Sequence, residues 1–532
     1  MRSPVLLLSL IVPFAFLTAQ DLGDRRIVLE EVTIPNMPGV HSFACGQQGT
    51  EWLLLGGRTD GLHQRQPFAA FQAAANNTMA HVVDPYTGEI WSRSISSLPA
   101  AIYEQLQSTN LEFHQRENTL YIIGGYGFSA TAGDHITHSK LTAVDVPGAI
   151  AAIKNGTALA PHFRQLSDSR MAVTGGYVGF LNDEFYLVGG QRFMGRYNPM
   201  GPNSGPGFIQ EYTNAIRRFR IEDDGTSFAI ADFTETVDTA ELHRRDYNLI
   251  PQIFPNGEQG FTAFSGVFQY TSNIPWLNTV DITPSGYTVV PVFEQLLNQY
   301  HTAHLPAYSA TSNKMSTVFF GGIGRYYYDA NGQLWDDVNV PFVNTISRVV
   351  RSADGNMVET AIGSMPALLG SSAEFITAPG VPTSFSDIIN LDQLEGDTVL
   401  AGHIVGGIKS SAANIFFINN GTQSEASTRV FKVLLVRDIN TGLAKPTAPS
   451  QTLQLALSDS GEQLIISLEL AKGLEGTLNL LDSSGRLVRT IVKARMPAGS
   501  QKLHYDVRDL SKGSYLVEWT TLQGRNVARF VR

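Results

Sequence analysis

Uninterrupted apolar runs recur along this chain, and each ends in a pair of glycines. They read WLLLGG (Trp52 to Gly57), LYIIGG (Leu120 to Gly125), FYLVGG (Phe185 to Gly190), VFFGG (Val318 to Gly322) and HIVGG (His403 to Gly407). A sixth copy, FTAFSG from Phe261 to Gly266, carries Ser265 in the first glycine's place. The first positions fall at 56, 124, 189, 265, 321 and 406, a mean spacing of 70 residues. Four or five consecutive Leu, Ile, Val, Phe or Tyr residues predict a strand buried on both faces. The glycines predict backbone at positive φ, or pressed against other backbone, where that strand leaves a crowded interior. Recurrence of one such strand is the mark of a repeat architecture.

Twisted sheets stacked face to face around an axis satisfy that burial, so the pattern predicts the blades of a β-propeller. Most double glycines are followed by a variable stretch and then another strand, as in NTMAHVVD (Asn77 to Asp84), TNAIRRFRI (Thr213 to Ile221), LNTVDI (Leu277 to Ile282) and VNTISRVV (Val343 to Val350). The first copy continues through PYTGEIW to Trp91. This D-P-x-T-x-x-W run after Gly-Gly resembles the kelch motif, whose repeats are four-stranded propeller blades, with Asp84 and Trp91 matching its later half. The resemblance runs from Ile27 to Arg437. The spacing exceeds the ~50 residues of a kelch repeat, so long loops are expected. RIVLEEVTI (Arg26 to Ile34) alternates like an isolated strand, and RVFKVLLV (Arg429 to Val436) is the last strand of the repeat region. Pairing of the two would clasp a six-bladed ring and leave no open edge.

Beyond a polar, Pro- and Gly-bearing linker at 438–450, short strands follow at close spacing with turn signals between them, predicting a small antiparallel β-sandwich over 451–532. LLDSSGRLVRTIV with Gly485, then DLSKGSYLVEW with Gly513 and Tyr515, then the closing RFVR ending at Arg532 resemble the type A sorting domain of the type IX secretion (Por) system. The resemblance implies the type IX secretion machinery as a partner and export across a Gram-negative outer membrane. An ordinary appended sandwich is the alternative. Residues 1–19 read as a signal peptide, with Arg2 before an apolar core and Ala19 at a small-residue exit. The expected chain is therefore all-β, a six-bladed kelch-like β-propeller over 20–437 and a small C-terminal β-sandwich, secreted or held at the outer-membrane cell surface.

Charge narrows the partners. Lys and Arg number 38 against 48 Asp and Glu, a net charge of −10 without a basic block, so nucleic acid is not expected as a ligand. No later stretch supplies the ~20 apolar residues of a membrane helix. The one cysteine, Cys45, cannot form an intrachain disulfide.

Candidate chemistry lies in the segments after the double glycines, because loops on a rigid scaffold carry function. They hold Arg58, His63 and Arg65; Tyr126, His135 and His138; Arg192, Arg196 and Tyr197; and Arg325, Tyr326, Tyr327 and Trp335. Arg beside aromatics suits a glycan, a peptide or a surface protein, through forked hydrogen bonds and stacking. The competing role for each is to pack and solubilise a long loop. No cofactor or metal is expected: His135 and His138 lack a third ligand and read as a surface pair, and Asp329, Asn331, Asp336 and Asp337 lack calcium-loop spacing. HSFAC before a Gly-Gly strand is similar to the first blade of copper-radical galactose oxidases, but Leu106 stands where their tyrosine would, which leaves Cys45 as a small buried hydrophobe. Sialidase-type turns are not intact. Sialic-acid mutarotases also use six kelch-like blades, and His243, Arg244, Arg245 and Asp246 are the most concentrated polar set near an inner strand, with a blade-to-blade salt-bridge network as the competing role. The leading expectation is non-catalytic binding, and the alternative a cofactor-free carbohydrate-active enzyme of mutarotase or lyase type in the central mouth.

Overall fold

The structure is a computed structural model that describes residues 22–201, 207–329, 332–437, 451–458, 461–470, 473–482, 486–497, 499–521 and 524–532. The chain divides into two compact units, residues 1–438 and 439–532. The expected signal peptide, the linker at 438–450, Asn331 and Gly485 lie outside the described residues.

The first unit is all-β and propeller-like. Sheet one runs, in order, Ala44–Gln48, Glu51–Leu55, Met79–Asp84 and Glu89–Ser94. Sheets two, three and four repeat that order, beginning at Glu112–Arg116, Tyr177–Leu181 and Asn248–Ile253. Sheet five begins at His304–Ser309 and adds a short parallel strand, Ile389–Asn390. Sheet six is assembled from both ends of the unit, with Leu368–Thr377, Thr398–Ser410 and Val430–Arg437 completed by Arg25–Val32. The register of that last pair runs from Arg25 opposite Arg437 to Val32 opposite Val430. Arg25 is buried, and its guanidinium donates to the carbonyls of Leu435, Leu394 and Gly396 at 3.3, 3.1 and 2.9 Å.

The apolar runs explain why the sheets stack. Leu53 and Leu55 pack on Leu120 and Ile122 of sheet two, whereas Trp52 and Leu54, one position out of phase, pack on Ile376 and Val405 of sheet six. The same alternation joins sheets two and three, three and four, four and five, and five and six. Each neighbouring pair thus shares its own core, and a strand without an exposed face needs no polar positions.

All six double-glycine positions lie at positive φ, including Ser265 at 54° and Gly266 at 102°. At Gly124 the need is steric as well, since a Cβ there would lie 1.8 Å from the Val173 carbonyl oxygen, in the segment leading into the next sheet. Nearer the axis a ring of backbone hydrogen bonds links the sheets. Asn110 N–H donates to Ser42 (3.2 Å), Gly175 to Asn110 (3.4 Å), Asp246 to Gly175 (2.7 Å), His301 to Asp246 (3.0 Å), Ser372 to His301 (2.9 Å), and Ser42 to Ser372 (3.1 Å). The last donor returns the ring to its first acceptor.

The long post-glycine segments fold on themselves. Tyr126–Ser129, Asp134–Thr137, Gln191–Met194 and Ile209–Tyr212 form an accessory four-stranded sheet, and Tyr326–Tyr328 pairs with Leu334–Asp336. The described residues of the second unit form two sheets, one of three and one of four strands, around a shared core that includes Leu464, Ile466, Leu478, Val517 and Trp519. Among the described residues no helix is long and apolar enough to cross a membrane.

Candidate functional site

Two cavities open into the middle of the first unit. The larger, about 760 Å³, lies on the side of the post-glycine segments. The smaller, about 260 Å³, is lined by the first strands of the sheets. Ser42, Asn110, Gly175, Asp246 and His301 line both, so the hydrogen-bonded ring is a waist between two mouths.

The double-glycine turns send Arg58, His63, Tyr126 and Tyr197 into the lining of the larger cavity. Arg58 is buried and already engaged. It forks onto Asp60 at 2.8 and 2.7 Å, donates to Asn76 Oδ1 at 2.9 Å, and lies 5.3 Å from the Phe71 ring centroid. Burial would raise the Asp60 carboxyl, but His41 and Arg58 outweigh it and hold the group at about 2. His63 sits among the rings of Phe71, Tyr197 and Phe416 at 5.5, 4.8 and 5.6 Å, and burial depresses it to about 4, so the imidazole is neutral. The Tyr126 hydroxyl donates to Gly195 O (2.8 Å) and accepts from Tyr197 N–H (2.9 Å), fixing the turn that presents Tyr197.

Arg192, Arg196, Arg325 and Tyr326 are not in that lining. Arg192 is exposed and pairs with Glu211 across the accessory hairpin at 3.2 Å, while its neighbours Gln191 and Phe193 face the cavity. Arg196 donates to the Phe68 carbonyl (3.2 Å). Arg325 forks onto Asp336 at 2.6 Å for both bonds and lies over the Tyr326 ring. In the second unit, Gly513 and Arg532 exchange backbone hydrogen bonds (3.2 and 2.9 Å), and Tyr515 stacks on Phe530.

The set at 243–246 splits by role. Arg244 is structural, donating to the Glu241 carbonyl (2.6 Å), to the Ser265 carbonyl and to Asn278 Oδ1 (2.7 Å). Arg245 faces the cavity, held by the Tyr212 hydroxyl at 3.0 Å and by Asp246, whose other oxygen accepts from Asn110 at 3.0 Å. His243 is sandwiched between Tyr212 and Tyr270 at 3.7 and 4.0 Å. His135 and His138, expected at the surface, are buried instead: the accessory sheet covers them, and His135 Nε2 meets the Phe71 carbonyl at 2.9 Å. Cys45 is half-buried, packed against the core shared by sheets one and six and bordering the smaller cavity. Among the described residues no group of three or more His, Cys, Asp or Glu could hold a metal ion.

The smaller cavity carries titratable groups that sequence reasoning passed over. Glu374 Oε1 lies 3.3 Å from His301 Nε2, without an aligned hydrogen bond. Burial raises Glu374 to about 8 and depresses His301 to about 3 and His304 to about 4. The pair is therefore a neutral acid beside a neutral imidazole at pH 7. Glu112 is buried; its Oε1 accepts from Gly176 N–H (2.7 Å), its Oε2 has no partner, and burial pushes its carboxyl well above the usual range.

No protein-family model matches this sequence, and none of the curated proteins does. Among solved structures the chain is similar to the structure of YjhT, at 11% identity over 76% of this chain and 98% of that one, with a TM-score of 0.43.

Proposed function

We propose that this protein is a six-bladed, kelch-like propeller that binds a neutral glycan in its larger axial cavity. One observation carries the reading: the cavity is walled by Phe71, Tyr126, Tyr197, Tyr212 and Phe268, while Arg58 and Arg245 are already neutralised by Asp60 and Asp246. Aromatic faces grip the apolar face of a sugar ring, and paired charges offer hydrogen bonds without calling for a charged ligand. At Arg58 and Arg245 a free anion would have to displace Asp60 or Asp246; Arg65, the third arginine of the lining, donates to the Pro199 carbonyl (2.9 Å) and lies over the Phe416 and Phe417 rings. The sixfold ring and the six shared cores support the blade count, and the clasp of Arg25–Val32 on Val430–Arg437 supports closure.

Glycan-array screening followed by calorimetry tests the reading. Tyr197→Ala and Tyr212→Ala should each weaken the best glycan roughly tenfold, about 1.4 kcal/mol. A protein that binds no glycan, or binds one indifferently to both changes, would refute it. The alternative, a cofactor-free carbohydrate-active enzyme, draws on the His301 and Glu374 pair, but Glu374 opens only to the smaller cavity, away from the aromatic walls. Bound glycan should therefore be recovered unchanged by NMR.

The second unit is read as a type A type IX sorting sandwich, supported by two sheets on one core and by the tie between Gly513 and the terminal Arg532. With the leader expected at 1–19, this makes the protein secreted or surface-held. Expression without residues 451–532 in a type IX-competent host should leave the first unit in the periplasm, and its normal release would refute the address.

A further inference from the structure

The smaller cavity has a charge pattern unlike that of the larger. Glu112 and Glu374 border it, the inner face of Asp246 reaches it, and Asp387 stands exposed at its rim. Among the described residues no Lys or Arg lines it. The imidazoles facing it, those of His114, His301 and His304, are all held neutral by burial. Its other titratable groups are the Cys45 thiol and the phenols of Tyr177 and Tyr247, each pushed up by burial and so neutral as well. Buried carboxyls are ordinarily paired with a cation, and an unsatisfied buried acceptor is costly. Here Glu112 is 3% exposed, and its Oε2 remains unpartnered in the cavity wall.

We infer that the smaller cavity is a second ligand site, distinct from the glycan cavity, that takes an organic cation bearing a primary ammonium group. An ammonium supplies three donors, matching Glu112 Oε2, the Glu374 carboxyl and His301 Nε2, the acceptors left without aligned partners around the cavity. Tyr177 and Phe375 border the same space and offer ring faces to the charge or the adjoining carbon chain. At ~30 Å³ per water, 260 Å³ holds about nine waters, or one small amine. A metal ion fits less well, because the described residues offer no three-ligand group.

Titration calorimetry of the full chain with n-butylammonium chloride, with n-butanol as the neutral isostere, tests the assignment. Butylammonium should bind and butanol should not. Binding at pH 7 should release protons, seen as a heat that changes with the ionisation enthalpy of the buffer, because protonated carboxyls must ionise to receive the cation. Affinity should accordingly rise with pH, by up to about tenfold per unit for each proton released. Glu112→Gln and Glu374→Gln should each weaken butylammonium at least tenfold. The amide oxygen of the Glu112→Gln variant keeps an acceptor for Gly176 N–H, and the proton-release measurement needs no variant. Tyr212→Ala, in the other cavity, should leave amine binding intact, so failure of the glycan reading and of this one are separable. Equal binding of butanol, no binding of butylammonium, absence of proton release, or indifference to both carboxyl variants would each overturn the inference.

Discussion

Of the twelve positions in the six double-glycine turns, Ser265 is the one that carries a side chain, and it shows what the glycines do. It holds φ at 54° because its hydroxyl donates to the Trp276 carbonyl and its own carbonyl accepts from Arg244. Gly124, by contrast, has the Val173 carbonyl where a Cβ would go. Gly124→Ala should therefore destabilise by more than about 3 kcal/mol, whereas Gly133→Ala, at φ 70° with open space around it, should cost only about 1–2 kcal/mol; urea melts of both variants check the contrast. Asp60 gives a pH prediction. Its folded pKa is depressed to about 2, so its stabilising contribution is complete above the unfolded value of ~4 and is lost as pH falls toward 2. Asp60→Asn should flatten the acid limb of stability in that window. Sequence reading found Arg58, His63, Tyr126 and Tyr197 because they follow a visible marker. It could not separate Arg192 from Gln191 and Phe193, since which neighbour points inward depends on strand phase in a hairpin that only the fold reveals.

At the scale of the element, the two-faced strand carries most of the architecture. Leu53→Ala would open a void between sheets one and two and should cost about 2–5 kcal/mol, measurable by denaturant titration. These strands were legible because burial on both faces removes every polar position. The first strands were less so, since Ala44–Gln48 and Glu112–Arg116 mix polar and apolar residues beside the axial cavities. A weaker marker was present: Ser42, Asn110 and Gly175 each stand 14 residues before a first glycine. All three, like Asp246, adopt positive φ, which their residue types tolerate. The accessory sheet escaped notice because its strands span four residues each. Glu359, on Met357–Ser364 of sheet five, accepts from Leu296 and Leu297 N–H and is raised by burial to about 8. A raised carboxyl contributes stability in full below its unfolded pKa of ~4.3 and loses it as pH rises through about 8. Glu359→Gln should thus reduce the fall in Tm between pH 5 and 9, read by calorimetry.

At the largest scale, sheet six of the first unit depends on one borrowed strand. Removing residues 1–33 would bare the edge of Val430–Arg437 and leave the carbonyls of Leu394 and Gly396 without Arg25. Such a variant should melt several degrees lower and self-associate, as followed by scanning calorimetry and size-exclusion chromatography. Recurrence of a strand announced repeated four-stranded sheets; that the amino-terminal strand joins the last of them was foreshadowed only by its lone alternating pattern. The loop of six backbone contacts through Ser42, Asn110, Gly175, Asp246, His301 and Ser372 has a mechanical meaning. It acts as a hoop: no sheet can swing outward without stretching two of its links at once, so the aperture keeps a constant gauge. Passage between the two chambers is then a matter of sieving by size.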